Sequence, residues 1–311
     1  MIQEIDKCLK KPDFNNIEVK DKYMHQMTRI RDFSIEDVDP RDGENDFLGS
    51  RFKFINAHNG LQKGHIHVLL GRTNKGKSAL ILEIILENAM NNITSLLFLS
   101  EGLKEDLRTQ IDSLLKLKKV PPDDHQRVRQ RIQIVTENDF AGSGHNEPIR
   151  WINALTRIAD DIGAEIVFID NISGIRFGNT TPMEQVEFIK YLNESTQRIN
   201  AVMFIAVHQS KLTEDDSELS IGNVRANQNF TSLPSYVYGL NDFTNLEKEK
   251  RVVSILKSRN FGDAIGKYFE LTYKSIKREG HYTKDKEIPK NLAKTLFINN
   301  KKFSKASFSK S

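Results

Sequence analysis

The sequence holds one cysteine, Cys8, and one tryptophan in 311 residues, so no intrachain disulfide can form. That excludes a disulfide-built scaffold and a zinc centre of the multi-cysteine type, and it fits a reducing compartment. No apolar run approaches the roughly 20 residues that span a bilayer. The opening residues, MIQEIDKCLKKPDF, lack the apolar segment of a secretory leader. A membrane role is therefore not expected, and a soluble, intracellular protein of the cytoplasm is. Charge of one sign is also missing. The 46 basic and 42 acidic residues leave a net +4, so any nucleic-acid surface must be local and not compositional.

What the chain does have is alternation. From about residue 51 to 280, apolar runs exchange with segments of helical period: HIHVLLG, SALILEIILENAM, TSLLFLS, KEDLRTQIDSLLKLKK, PIRWINALTRIADDIG, AEIVFID, MEQVEFIKYLNESTQRIN and VMFIAVH. YVYGLNDF, RVVSILKSRN and GKYFELTYKS read as closing strands. The pattern predicts an α/β domain with a mostly parallel sheet flanked by helices. Residues 1–50 are charged and turn-rich and read as an arm. Residues 281–311 are Lys- and Ser-rich and read as a basic, flexible tail.

The first chemical motif is GRTNKGKS, formed by Gly71, Arg72, Thr73, Asn74, Lys75, Gly76, Lys77 and Ser78. It lies between a predicted strand and a predicted helix, the context in which Gly-x-x-x-x-Gly-Lys-Ser binds a nucleoside triphosphate. Glycines let backbone N–H groups approach the phosphates, and the helix N-terminus adds its dipole. Lys77 is expected on the β/γ-phosphates and Ser78 on Mg²⁺. Asp170, ending AEIVFID, is expected to be the second carboxylate for the metal. Glu101 follows TSLLFLS directly and is the candidate for polarising water, while His208, ending VMFIAVH, is placed to sense the γ-phosphate. Read without a motif beside them, the same residues are a turn aspartate, a helix-start glutamate and a strand-end histidine.

GRTNKGKS, FLSEG, IVFIDNIS, FIAVH and ILKSRNFGDAIG occur in the order found in the helicase domain of phage primase-helicases. The chain resembles that family from about Gly60 to Gly280, and more distantly Twinkle and DnaB-like helicases. The resemblance implies a RecA-like P-loop core, with ATP or another NTP or dNTP and Mg²⁺ as cofactors. It also implies a homo-oligomer, expected to be a hexameric ring, in which Arg259, assisted by Lys257, enters the neighbour's site as an arginine finger. Single-stranded DNA is the implied partner. By position, the DNA contacts are Arg176 in the segment after Asp170, and Lys211, Arg225 and Asn227 in the segment after His208. The second segment departs from the family pattern: Glu214, Asp215 and Asp216 form an acidic run, and VRANQN stands where relatives carry an Arg-Gly-Ser sequence. The implied activity is 5′ to 3′ DNA unwinding in replication, with a separate primase, loader or polymerase as further partners, since 50 arm residues leave no room for a primase domain. Two other readings stay open: a RecA-like DNA-dependent ATPase that does not unwind, and a nucleotide-gated assembly protein.

Overall fold

The computed structural model describes residues 46–100, 102–136, 139, 148–172, 182–209, 218–221, 229–243, 249–276 and 279–308. The chain divides into two units, Met1–Asp46 and Phe47–Ser311, and all the described residues except Asp46 belong to the second. Its start lies a few residues before the boundary expected at 50. β1 (Phe47–Leu48) pairs antiparallel with β2 (Leu61–Gln62), and Leu48 and Phe52 are buried in the core. Between them runs the single-turn helix α1 (Lys53–Asn56).

The main sheet is assembled from β3 (Ile66–Gly71), β4 (Ser95–Leu99), β5 (Ile132–Thr136), β6 (Ile166–Asp170), β7 (Val202–His208) and β8 (Tyr236–Asp242), followed by β9 (Lys250–Ser258), β10 (Tyr268–Ile276) and β11 (Glu279–Ile288). Their spatial order is β11-β10-β9-β8-β3-β7-β6-β4-β5. The six from β8 to β5 run parallel, and β9, β10 and β11 add an antiparallel meander. Helices cover both faces of the parallel half, which is why VMFIAV is continuously apolar and IHVLLG is broken only by the buried His67. Successive side chains point to opposite faces. Leu69, Leu97, Phe168 and Phe204 pack on one side with α2 (Lys77–Met90), α3 (Lys104–Leu117) and α4 (Pro122–Gln130). Val68, Phe98, Val167 and Ile205 pack on the other with α5 (Pro148–Asp161) and α6 (Pro182–Arg198). The short α7 (Asn229–Ser232) leads into β8.

The expectation of a flexible tail from residue 281 is corrected. β11 pairs with β10 along its length, and α8 (Lys290–Phe308) follows it. Phe297 and Ala293 dock on Phe243, Tyr268, Val252 and Ile288. Ala293 and Phe297, spaced i and i+4 with Leu296 beside them, form a narrow apolar stripe, and polar residues such as Lys294 and Thr295 stay exposed. Burying an aromatic side chain this way stabilises by roughly 1.5–3 kcal/mol, enough to hold a helix whose composition is otherwise solvating. β5 has no counterpart in the expected pattern. It is a five-residue strand with only Ile132 buried, so its apolar signal is weak. Among the described residues, no helix is long and apolar enough to cross a membrane.

Candidate functional site

β3 ends at Gly71, and the chain turns through the phosphate-loop motif into α2. The turn is made by Asn74 at φ +58° and Gly76 at φ +96°. A side chain at 76 would be strained by that φ and would also meet the Tyr282 hydroxyl at 2.6 Å. Gly76 occupies the N-cap of α2 with no side-chain cap, which leaves first-turn N–H groups for an anion. Thr73, Asn74 and Ser78 are exposed.

Lys77 is the buried side chain of the loop, 4 % exposed. Its Nζ donates to the Gly71 carbonyl at 3.0 Å, the Arg72 carbonyl at 2.8 Å and His208 Nδ1 at 3.0 Å. A lysine ammonium only donates, so His208 Nδ1 accepts and the imidazole carries its proton on Nε2. Gly71 and His208 are register partners on adjacent parallel strands, which is why the two groups meet. Thr73 Oγ1 lies 3.5 Å from the same nitrogen. Burial pushes the Lys77 ammonium down to about 8, and the charge of Asp170 opposes that shift.

Asp170 ends β6 opposite Leu99 of β4, half-exposed at the carboxyl edge of the sheet. Its carbonyl accepts from Ser100 N at 2.9 Å, and Asn171 N donates to Ser100 Oγ at 3.0 Å. The ends of β4 and β6 are thus stitched together beside the loop. An exposed Ser78 hydroxyl, the Asp170 carboxylate, a buried ammonium and a helix N-terminus form the oxygen-donor and cation set that a magnesium–triphosphate complex requires. The donor set fits both groups.

Four residues absent from the sequence-derived set hold the loop from the side of β7, β8 and the meander. Asp242, ending β8, has its carboxylate 3.1 Å from Lys75 Nζ and 3.6 Å from Arg72 Nη1. Arg72 Nε donates to Gln209 Oε1 at 3.1 Å. Arg251 Nε donates to the Lys75 carbonyl at 3.2 Å while its guanidinium lies 4.8 Å from the centre of the Tyr273 ring. The Tyr282 hydroxyl donates to the Gly76 carbonyl at 3.2 Å. One signal was available for Asp242: like Asp170, it is an aspartate ending an apolar strand.

Lys257 and Arg259 are not at this site. Tyr236 pairs with Ser258 and Asp242 with Arg251, and Leu240 lies beside Gly71 while Tyr236 lies beside His67. The Lys257–Arg259 end of β9 is therefore level with the start of β3, at the edge opposite the loop. Arg259 N donates to the Ser235 carbonyl at 3.0 Å, and its side chain is exposed. Lys257 Nζ donates to the Ser232 carbonyl, and burial, then the Arg259 charge, lowers its pKa. Glu101, Arg176, Lys211, Arg225 and Asn227 lie outside the described residues.

No family model matches the sequence, and no curated protein matches it. Among solved structures, the fold is similar to that of a KaiC-like protein from the hyperthermophilic archaeon Pyrococcus horikoshii OT3, with a TM-score of 0.51 and 18% identity. The match covers 73% of this chain and 93% of that one. In all, 631 solved chains match, a breadth that marks a widely reused fold and not an activity. The chain has a RecA-like P-loop α/β core.

Proposed function

We infer that this chain is a magnesium-dependent ATPase that works as a ring-forming, replicative DNA helicase, moving 5′ to 3′ on single-stranded DNA in the cytoplasm. One observation carries the reading beyond nucleotide binding. The cationic pair Lys257–Arg259 lies at the opposite edge of the sheet from its own phosphate loop, which supports a role for the pair in another subunit's site and not in its own. Assembly and hydrolysis are then one requirement.

Lys77 holds the β/γ-phosphates, Ser78 and Asp170 hold Mg²⁺, and the first-turn amides of α2 take the remaining phosphate oxygens. Bound Mg²⁺ supplies charge neutralisation on the phosphates. Glu101 orients the attacking water. His208 shares Lys77 with the phosphate pocket and opens the segment holding Lys211, Arg225 and Asn227, so loss of the γ-phosphate is felt by the DNA-gripping residues. Arg259 of one subunit stabilises the charge on the phosphoryl group transferred in the next, a contribution of about 10³ to 10⁵ in rate for such fingers. Arg176 adds a second contact to the DNA backbone, and a separate primase, loader or polymerase works beside the ring.

The test is ATP turnover against protein concentration, with and without single-stranded DNA, followed by strand separation on a forked duplex. Steep concentration dependence, DNA stimulation and unwinding support the reading; turnover indifferent to both variables removes it. A second reading, a RecA-like DNA-dependent ATPase that does not unwind, uses the same core and the same nucleotide-site residues. DNA-stimulated turnover without strand separation selects it.

A further inference from the structure

The phosphate loop passes through two positive-φ residues, Asn74 and Gly76, and such a backbone persists where its surroundings over-determine it. The surroundings that do so come from β8 and the meander. Asp242 is 5% exposed, and its carboxylate is paired with both Lys75 and Arg72. Its register partner Arg251 bonds the Lys75 carbonyl, and Tyr282 bonds the next one, at Gly76. A carboxylate this buried needs its cations, because removing a charge from water is costly unless it is paired. Arg72 and Lys75, two of the variable positions of the motif, are thereby fixed to β8.

We propose that Asp242 is a positioning residue for nucleotide binding: by anchoring Arg72 and Lys75 it keeps the phosphate loop preformed for a nucleoside triphosphate. The proposal rests on the nucleotide-binding reading above and is independent of the helicase reading. Without Asp242 the incoming nucleotide has to order the loop itself, so affinity falls. Turnover at saturation is spared, because bound phosphates then hold the loop. The opposite arrangement, in which Asp242 sequesters two cations from the phosphates, gives the opposite sign: its removal tightens binding.

The experiment is binding of a fluorescent ATP analogue with Mg²⁺ to the full-length chain, comparing wild type, Asp242→Asn, Asp242→Glu, Lys75→Ala and the Asp242→Asn/Lys75→Ala double variant, with kcat measured at saturating ATP. Expected are a roughly tenfold weaker Kd in each of Asp242→Asn and Lys75→Ala and little further loss in the double variant. Partial rescue by Asp242→Glu, with kcat of the two single Asp242 variants within about twofold of wild type, completes the expected pattern. Wild-type affinity or tighter binding in Asp242→Asn, or strictly additive losses, overturns the proposal while leaving the nucleotide site standing. If the wild type itself binds no nucleotide, both fall. Should Asp242→Asn not fold, hydrogen exchange over residues 71–78 in nucleotide-free Lys75→Ala decides. Faster exchange confined to the loop supports the proposal, and unchanged exchange overturns it.

Discussion

Lys77 Nζ lies 3.0 Å from His208 Nδ1, joining the lysine of the phosphate-loop motif to the residue that opens the next connecting segment. The same ammonium is also held by the Gly71 and Arg72 carbonyls, so His208 is one of three acceptors. Replacing it separates binding from coupling. His208→Ala is expected to leave the nucleotide Kd within about threefold, because two acceptors remain, and to lower DNA-stimulated turnover by about tenfold or more. Equal losses in both would make His208 a plain binding residue.

The buried lysine is expected to make nucleotide binding pH-dependent. With its pKa pushed down to about 8, Lys77 loses its charge as pH rises through that value. Affinity is expected to be nearly flat from about pH 7 to 7.5 and to fall above 8, approaching about tenfold per pH unit. Lys77→Arg, which stays charged, should bind more weakly but with a flat profile. The stability consequence has the opposite sign: between about 8 and 10.5 the unfolded chain holds more protons than the folded one, so this group's contribution to stability rises with pH.

Acid should destabilise the chain through two histidines at the far end of β3. His58 and His67 are buried around Tyr236 and Tyr238; His58 Nε2 lies 2.5 Å and His67 Nδ1 3.1 Å from the Tyr238 hydroxyl. Burial pushes His58 down to about 4 and His67 well below its usual value. Both are neutral when folded, while the unfolded chain takes up protons below about 6.5. Stability is present above that pH and is lost as pH falls toward 4, by on the order of 3 kcal/mol for His58 alone. Urea midpoints across about pH 4 to 7 test this, and His58→Gln should flatten the slope. An unchanged slope would mean that another group titrates.

The C-terminal helix is a structural element of the domain. Phe297→Ala should destabilise by about 3 kcal/mol in urea unfolding, as truncation of a buried aromatic does. A chain ending at residue 280 should lose more than that and bind nucleotide more weakly, because Tyr282 no longer reaches Gly76. A truncated chain as stable as the full one would restore the flexible-tail picture.

The parallel half of the fold and the phosphate loop were legible in the sequence because buried parallel strands are continuous apolar runs and the motif is contiguous. Lys77, Ser78, Asp170 and His208 converge because each ends or follows a parallel strand at the same edge, which strand order alone predicts. Arg251 and Tyr282 were not legible as site residues, and Asp242 carried only the signal of an aspartate ending an apolar strand. They lie far along the chain from the loop, and two of them sit in antiparallel strands, where register decides whether a residue reaches the loop or the opposite edge. The order of the tail was hidden because a stripe as narrow as Ala293, Leu296 and Phe297 is masked by lysine-rich composition.

A site completed across a subunit boundary is tested most directly by mixing Lys77→Ala, which retains the arginine but not the phosphate contact, with Arg259→Ala, which has the reverse. Each alone should hydrolyse ATP at less than about 1% of the wild-type rate, consistent with the size of finger effects. The mixture is expected to recover a readily measured fraction of turnover, because some subunit boundaries then pair an intact phosphate loop with an intact Arg259. Full turnover by Arg259→Ala alone, or no recovery from two folded variants that co-assemble, would contradict a shared site.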